Sequence, residues 1–193
     1  MSERIIIKEL KILSDNWYIL RKATFDFLKK DGTWQTQERE CYDRGNGAAI
    51  LLYNVAQKTV ILVRQFRMPT FLNGNTEGFL VEVPAGLLDA LNPEDCIRKE
   101  VEEETGYQIT HVKKVFEAYM SPGAVTEILH FFIAEYQPHH KITDGGGLEH
   151  EQEEIEVIEM PFADAFNMIE SGEIRDGKTI MLLQHAAVHN LFL

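Results

Sequence analysis

A chain of 193 residues is long enough for one domain with a substantial core and a small additional subdomain. Its residues are 45% hydrophobic and 26% charged, the balance of an ordinary soluble globular protein. The formal net charge of −12 excludes nonspecific binding to nucleic acid or to an anionic membrane surface, which needs basic patches. It leaves room for a phosphate-bearing ligand that arrives with a divalent cation, because a bound cation inverts the local field.

Taken in chain order, the first forty-odd residues alternate apolar and polar side chains. Residues 17–28 and 34–40 read as two strands around the Asp31-Gly32 turn, a hairpin. Residues 48–54 and 59–67 are strongly apolar strands joined by a short polar turn, and residues 79–84 form another. Asn92 as N-cap and Pro93 in the first turn open a helix that ends near Gly106. Residues 112–119 and 128–136 read as strands, Gly145-Gly146-Gly147 as a flexible loop, and residues 155–160 as a strand. Phe162, Phe166 and Ile169 have helical spacing and stop at Ser171-Gly172, and residues 176–193 read as a final helix. The pattern is mixed α/β.

No apolar run approaches the roughly 20 residues of a membrane helix, and the N-terminal residues lack the apolar stretch of a signal peptide. Cys41 and Cys96 are far apart, so two reduced thiols in a cytoplasmic protein are expected, with Cys96 as a small packing residue. His139-His140 reads as a solvated loop, and the histidines are not read as a zinc site.

Glu100 and Glu104 carry the chemistry. A spacing of four puts both carboxylates on one helix face, one turn apart, where like charges repel unless a cation lies between them. Carboxylate oxygens suit Mg²⁺ or Mn²⁺, which such sites hold together with substrate phosphates. The acidic stretch Glu149 to Glu154, hinged on Gly147, suits a lid that closes over substrate and supplies a base. Arg64-Gln65-Phe66-Arg67 ends a strand. Alternation lets only one arginine face the site, and Arg67, nearer the strand end, is chosen to reach a phosphate.

The run from Glu100 through Glu103 and Glu104 to Gly106-Tyr107 resembles the second half of the Nudix box, G-x5-E-x7-R-E-U-x-E-E-x-G-U. Three positions depart from it: Gly86 lies one residue too close to Glu100, Asn92 stands where the first Glu would be, and Lys99 replaces the Arg. Longer stretches are similar to one branch of the family, the GDP-mannose pyrophosphatases. Among them are Tyr42 to Ala48, Arg64 to Arg67, Cys96 to Glu100 and Gly172 to Thr179. That branch shares the shortened box and the Arg-to-Lys change.

The resemblance implies an α/β/α Nudix sandwich with a mixed sheet (46–193) and a small N-terminal β subdomain (1–45) that exchanges across a homodimer. It implies metal ligation by Glu100, Glu104, the Ala85 carbonyl and an acidic-loop glutamate, with Mg²⁺ expected and Mn²⁺ as substitute. Glu103 would join as a ligand or steady one. Counted back from the strand, Glu151 is the base and Glu153 the ligand; counted forward from Gly147, Glu151 is the ligand. By position, Trp17, Arg67, Ala85, Gly86, Leu87, Glu104, Glu127, His150, Glu151 and Lys178 would bind substrate, and Glu38, Arg39 and Glu40 would reach the nucleotide of the partner subunit. Trp17 stands where Tyr is expected and Glu38 where Lys is expected. By residue type alone, Trp17 reads as a core or dimer-packing residue.

The expected activity is hydrolysis of GDP-mannose to GMP and mannose 1-phosphate. ADP-ribose hydrolysis is the rival enzyme reading, because Ser121-Pro122-Gly123 is similar to a turn of ADP-ribose-type members. A silent nucleotide-sugar sensor is the rival from another class, and the carboxylate cluster speaks against it.

Overall fold

In the computed structural model, residues 3–149 and 152–192 are described. They fall into two units: the residues up to Asn46 together with Tyr119–Ile128, and Gly47–Ala118 together with the chain from Leu129 onward.

The first unit is an antiparallel sheet of β1 (Ile5–Asp15), β2 (Ile19–Leu28) and β3 (Trp34–Asp43) in that order. The expected hairpin is β2–β3, with Leu28 opposite Trp34. Gly32 takes φ +81 in its turn, a conformation that glycine adopts without penalty. The segment 119–128 joins this unit through backbone bonds: Tyr42 N–H donates to Ala124 O (2.7 Å), and Thr126 N–H donates to Tyr42 O (3.1 Å). The boundary near residue 46 is where alternation ends, whereas this second crossing into the unit leaves no local mark in the sequence. Ala23 is the one hydrophobic residue of the three strands that reaches the buried class. Ile6, Ile7, Leu10 and Ile12 are all more than half exposed.

The second unit is built on a seven-stranded mixed sheet. Its path is β10 (Glu156–Pro161), β5 (Thr59–Phe66), β4 (Gly47–Asn54), β9 (Ile128–Glu135) and β8 (Lys113–Tyr119). Two short strands branch from it: β6 (Phe79–Glu82) pairs with β5, and β7 (Ala85–Leu87) pairs with β4. The β4–β9 pairing is parallel, whereas β4–β5, β5–β10, β5–β6 and β4–β7 are antiparallel. Because side chains alternate across a strand, Ala48, Ile50 and Leu52 face one way, into a cluster with Ile97 and Val101 of helix α2 (Pro93–Thr105). Helix α4 (Gly177–Val188) also packs on β4 and buries Leu182, Leu183 and Ala186. Helix α3 (Phe162–Ser171) rests on β5 and β10. A short helix α1 (Met68–Leu72) follows β5.

Helix α2 begins and ends where its caps dictate. Asn92 Oδ1 accepts from the N–H groups of Glu94 and Asp95, Pro93 occupies the first turn, and Gly106 closes the helix at φ +75. The last helix is shorter than the expected 176–193. Asn190 takes φ +52 and Leu191 N–H turns back to Ala186 O, a left-handed stop that ends the helix at Val188. No helix among the described residues is long and apolar enough to cross a membrane.

Candidate active site

Strand β7 and helix α2 pack with the Glu100 side chain against Gly86. Gly86 lies opposite Ala48 in the sheet, and a Cβ placed on it would fall on the Glu100 carboxyl group. The glycine therefore makes the space in which that carboxylate sits. One turn further along, Glu104 is 2% exposed, and its Oε2 accepts from Ala85 N–H (3.2 Å). Burial pushes the Glu104 carboxyl well above the ordinary range, and the charges of Glu100 and then Glu153 push it the same way.

The acidic loop is fastened to the end of the same helix. Gly146 N–H donates to Glu104 O (2.9 Å) and Gly147 N–H to Glu103 O (3.1 Å), so loop glycines take carbonyls that the helix end leaves unpaired. Gly145 and Gly106 pack backbone to backbone, with no room for a Cβ on either. Glu153 Oε2 accepts from Leu148 N–H (3.2 Å), which folds this carboxylate back beside Gly147. His150 and Glu151 lie outside the described residues.

These contacts bring Ala85, Gly86, Glu100, Glu104 and Glu153 into one neighbourhood. Its donors are all oxygen, the chemistry of Mg²⁺ or Mn²⁺ rather than of zinc. A buried carboxylate on which the two strongest charge effects come from groups of its own sign is a site that a hard cation would relieve. Among the described residues, no three His, Cys, Asp or Glu side chains are already gathered tightly enough to hold an ion. Glu103 is engaged elsewhere, in an ion pair with Lys99 (2.6 Å) on the helix surface. Cys96 is buried as expected; its thiol donates to Leu87 O (3.2 Å), and burial, with Glu100 next, raises its pKa to about 12.

A second cluster gathers Arg67 and Lys178 on a residue that was not singled out from the sequence. Glu82, at the end of β6, is 1% exposed. Its Oε1 accepts from Arg67 Nε (2.8 Å), and its Oε2 accepts from Arg67 Nη2 (2.9 Å) and from Lys178 Nζ. Lys178 also pairs with Asp176 (3.1 Å), which caps α4 through Thr179 N–H (3.0 Å). Burial would raise the Glu82 pKa, but the Lys178 charge and then Arg67 outweigh it and bring it down to about 2. The Arg67 charge also reaches Glu104, opposing the upward shift there. The available signal was a lone carboxylate closing the apolar strand Phe79–Glu82. Arg64, by contrast, lies over the Phe79 ring and near Glu77 and Glu156.

The remaining expected residues belong to the first unit. Trp17 is 81% exposed, so it is no core residue of this chain; its ring meets Tyr18 edge-on. Glu38 pairs with Lys22 (2.8 Å), Arg39 donates to Glu38 O (2.7 Å) and Gln37, and Glu40 is exposed. Glu127 faces Arg44 at 3.6 Å. The histidines hold one pair not singled out from the sequence: His185 on α4 and His189, which caps that helix, stand four positions apart with ring centroids 4.2 Å apart. No third metal-binding side chain joins them among the described residues.

Two family descriptions match. The GDP-mannose pyrophosphatase NudK N-terminal domain covers residues 4–42, and the NUDIX domain covers residues 43–183. A GDP-mannose pyrophosphatase of Yersinia enterocolitica is 58% identical over 191 residues, 99% of each chain. One from Yersinia pestis is 58% identical over 189 residues, 98% of this chain and 94% of its own. One from Pectobacterium atrosepticum is 57% identical over 192 residues, 100% of this chain and 98% of its own. With a family domain spanning most of the chain and relatives this similar from end to end, the chain belongs to the Nudix family.

Proposed function

We propose that this chain is a Mg²⁺-dependent, cytoplasmic homodimer that hydrolyses GDP-mannose to GMP and mannose 1-phosphate. The observation that carries the hydrolase reading is the oxygen-lined cradle of Gly86, Glu100 and buried Glu104 beside Glu153. The substrate reading is supported by relatives of that name that match over nearly the whole chain.

Mg²⁺, when bound, would neutralise the diphosphate and acidify a water. Glu100, Glu104, Glu153 and the Ala85 carbonyl are the groups that would hold it. In this reading Glu153, whose charge bears on Glu104, is the ligand, and Glu151 is the base that removes the water proton. Arg67 and Lys178 bind the phosphate oxygens and orient the phosphorus for in-line attack. The P–O bond between the phosphates breaks, and the leaving phosphate carries away the bond's electron pair. Glu103, held by Lys99, steadies this face of α2. Trp17 and Glu127 contact the nucleotide, Glu38, Arg39 and Glu40 reach the nucleotide bound by the second copy in the exchanged dimer, and His150 is a further substrate contact. The exposed apolar strand β1 pairs with a second copy, which covers surface that a lone chain leaves wet.

The test is turnover of GDP-mannose, GDP-glucose, ADP-ribose and ADP-glucose with Mg²⁺, products separated by chromatography. GMP and mannose 1-phosphate are expected to dominate. AMP and ribose 5-phosphate from ADP-ribose as the preferred reaction would overturn the substrate reading and leave the metal site standing.

A further inference from the structure

Arg67 and Lys178 reach one place from different parts of the chain, the residue between β5 and α1 and the first turn of α4. Two cations brought together in a buried setting repel, and a flexible lysine would leave for solvent if nothing held it. Here Lys178 is 13% exposed at its side chain, so it has not left. Asp176 also pairs with Lys178 (3.1 Å), but Glu82 is the carboxylate that hydrogen-bonds both cations. Glu82 grips the Arg67 guanidinium through Nε and Nη2, the bidentate fork that fixes both distance and plane. The same Oε2 that takes Nη2 also takes Lys178 Nζ, so a single oxygen sets the separation of the two cations. The surrounding backbone is equally fixed. Val83 N–H, next in the chain to Glu82, donates to Thr179 Oγ1 (2.8 Å), which donates to Asp176 Oδ2 (2.6 Å). Among the described residues, Arg67 Nη1 makes no hydrogen bond and is available to a ligand.

We propose that Glu82 is a positioning residue for the hydrolysis: it joins Arg67 and Lys178 into one rigid two-cation cradle for the diphosphate of the substrate. The proposal rests on the hydrolase reading given above. Glu82 itself does not touch substrate, because its oxygens are spent on the two cations.

The test is a double-mutant cycle. Glu82→Gln keeps the shape and removes the charge, and its amide protons face the cations instead of accepting from them. In the otherwise natural protein, Glu82→Gln lowers kcat/KM for GDP-mannose by about tenfold or more, chiefly through KM, since the cradle binds phosphates before and during reaction. In the Arg67→Ala background the same change costs at least about fivefold less, because half of what Glu82 positions is gone. Glu82→Asp keeps the charge but withdraws it by one methylene; an intermediate loss is expected, and it serves as the probe if the Gln variant does not fold. Equal costs in both backgrounds, within about twofold, overturn the proposal and leave Glu82 a residue of the fold alone. If the natural protein does not turn over GDP-mannose, the substrate reading fails by itself. The cycle is then read from calorimetric Kd values for inorganic pyrophosphate with Mg²⁺, where the same non-additivity supports the proposal and additivity overturns it.

Discussion

Gly86→Ala tests whether the cradle has to be empty. The backbone at Gly86 is not in the left-handed region, so alanine brings no conformational strain, and its whole effect comes from one methyl group. That methyl would overlap the Glu100 carboxyl carbon and Oε1 and stand 2.5 Å from Oε2. Ordinary contact begins near 3.5 Å, so the carboxylate must retreat by about 1 Å or more. The strand cannot move in its place: Ala85, Gly86 and Leu87 are all paired to β4, whose Ala48 and Ala49 are fully buried. Metal ligands tolerate about 0.2 Å of error, and a displacement of about 1 Å in a catalytic group costs about 100-fold in rate. Gly86→Ala is therefore expected to lower kcat by about 100-fold and to raise the Mg²⁺ concentration for half-activation. Overpacking costs about 1–3 kcal/mol, or a melting temperature lower by several degrees for a chain of this length. The assay is a Mg²⁺ titration of GDP-mannose turnover beside a thermal melt. Adding Glu100→Asp withdraws the carboxylate by one methylene and should recover part of the loss. Natural turnover and Mg²⁺ activation in Gly86→Ala would refute the reasoning, because Glu100 would then not depend on the space that Gly86 leaves.

Glu104→Gln should separate stability from activity. An acid whose folded pKa is raised stabilises the fold below its unfolded pKa and loses that stability as pH rises through the folded value. In chelator at pH 8 the Gln variant is thus expected to melt higher than the natural chain, while its turnover falls by about 1000-fold, the equivalent of several kcal/mol of charge stabilisation; a lower melt would count against the burial argument. Glu82 has the opposite sign: its folded pKa of about 2 lies below the 4.5 of the free side chain, so its contribution is present above pH 4.5 and is lost as pH falls toward 2. The shift corresponds to about 3 kcal/mol, so urea unfolding of Glu82→Gln should show a flatter loss of stability between pH 5 and 2 than the natural chain. Light scattering should give twice the 22.2 kDa chain mass, falling toward one chain in Leu10→Glu, whose side chain is 61% exposed on β1; one chain's mass for the natural protein would remove the dimer.

Much of this fold was legible because its signals are local. The caps of α2, the Asp31-Gly32 turn and the apolar runs of β4 and β5 each act over a few residues, and each sits where its chemistry demands. What escaped notice depends on contacts distant in sequence. Tyr119–Ile128 joins the first unit through Tyr42, about eighty positions earlier, and β7 exists only because β4 offers it a free edge. Among the candidate site residues, Glu100 and Glu104 announced themselves by helical spacing, whereas Glu82 and Asp176 gain their meaning only from Arg67 and Lys178. Glu153 bears on Glu104 through a loop that returns to the end of α2, a contact that sequence spacing alone does not show.

The charge pattern along helix α2 suits a cation at its C-terminal end. Its N-terminal half follows every rule of helix stability, with Asn92 capping, Pro93 in the first turn, and Glu94 and Asp95 at the positive end of the dipole. Its C-terminal half breaks them. Glu100, Glu102, Glu103 and Glu104 crowd the negative end, and no basic residue stands in the last turn. Lys99 relieves Glu103 on the outside, but Glu104 is turned inward, where Arg67 only partly offsets its burial and its neighbours. The acidic loop then adds Glu153 by bonding Gly146 and Gly147 to the helix's last carbonyls. Selection for stability alone would not place Glu100 and Glu153 about the buried Glu104 at the negative end of a dipole. A sequence that obeys the rules for the first half of a helix and reverses them in the second marks where stability yields to chemistry. The charge missing from that half is the one a divalent cation would bring.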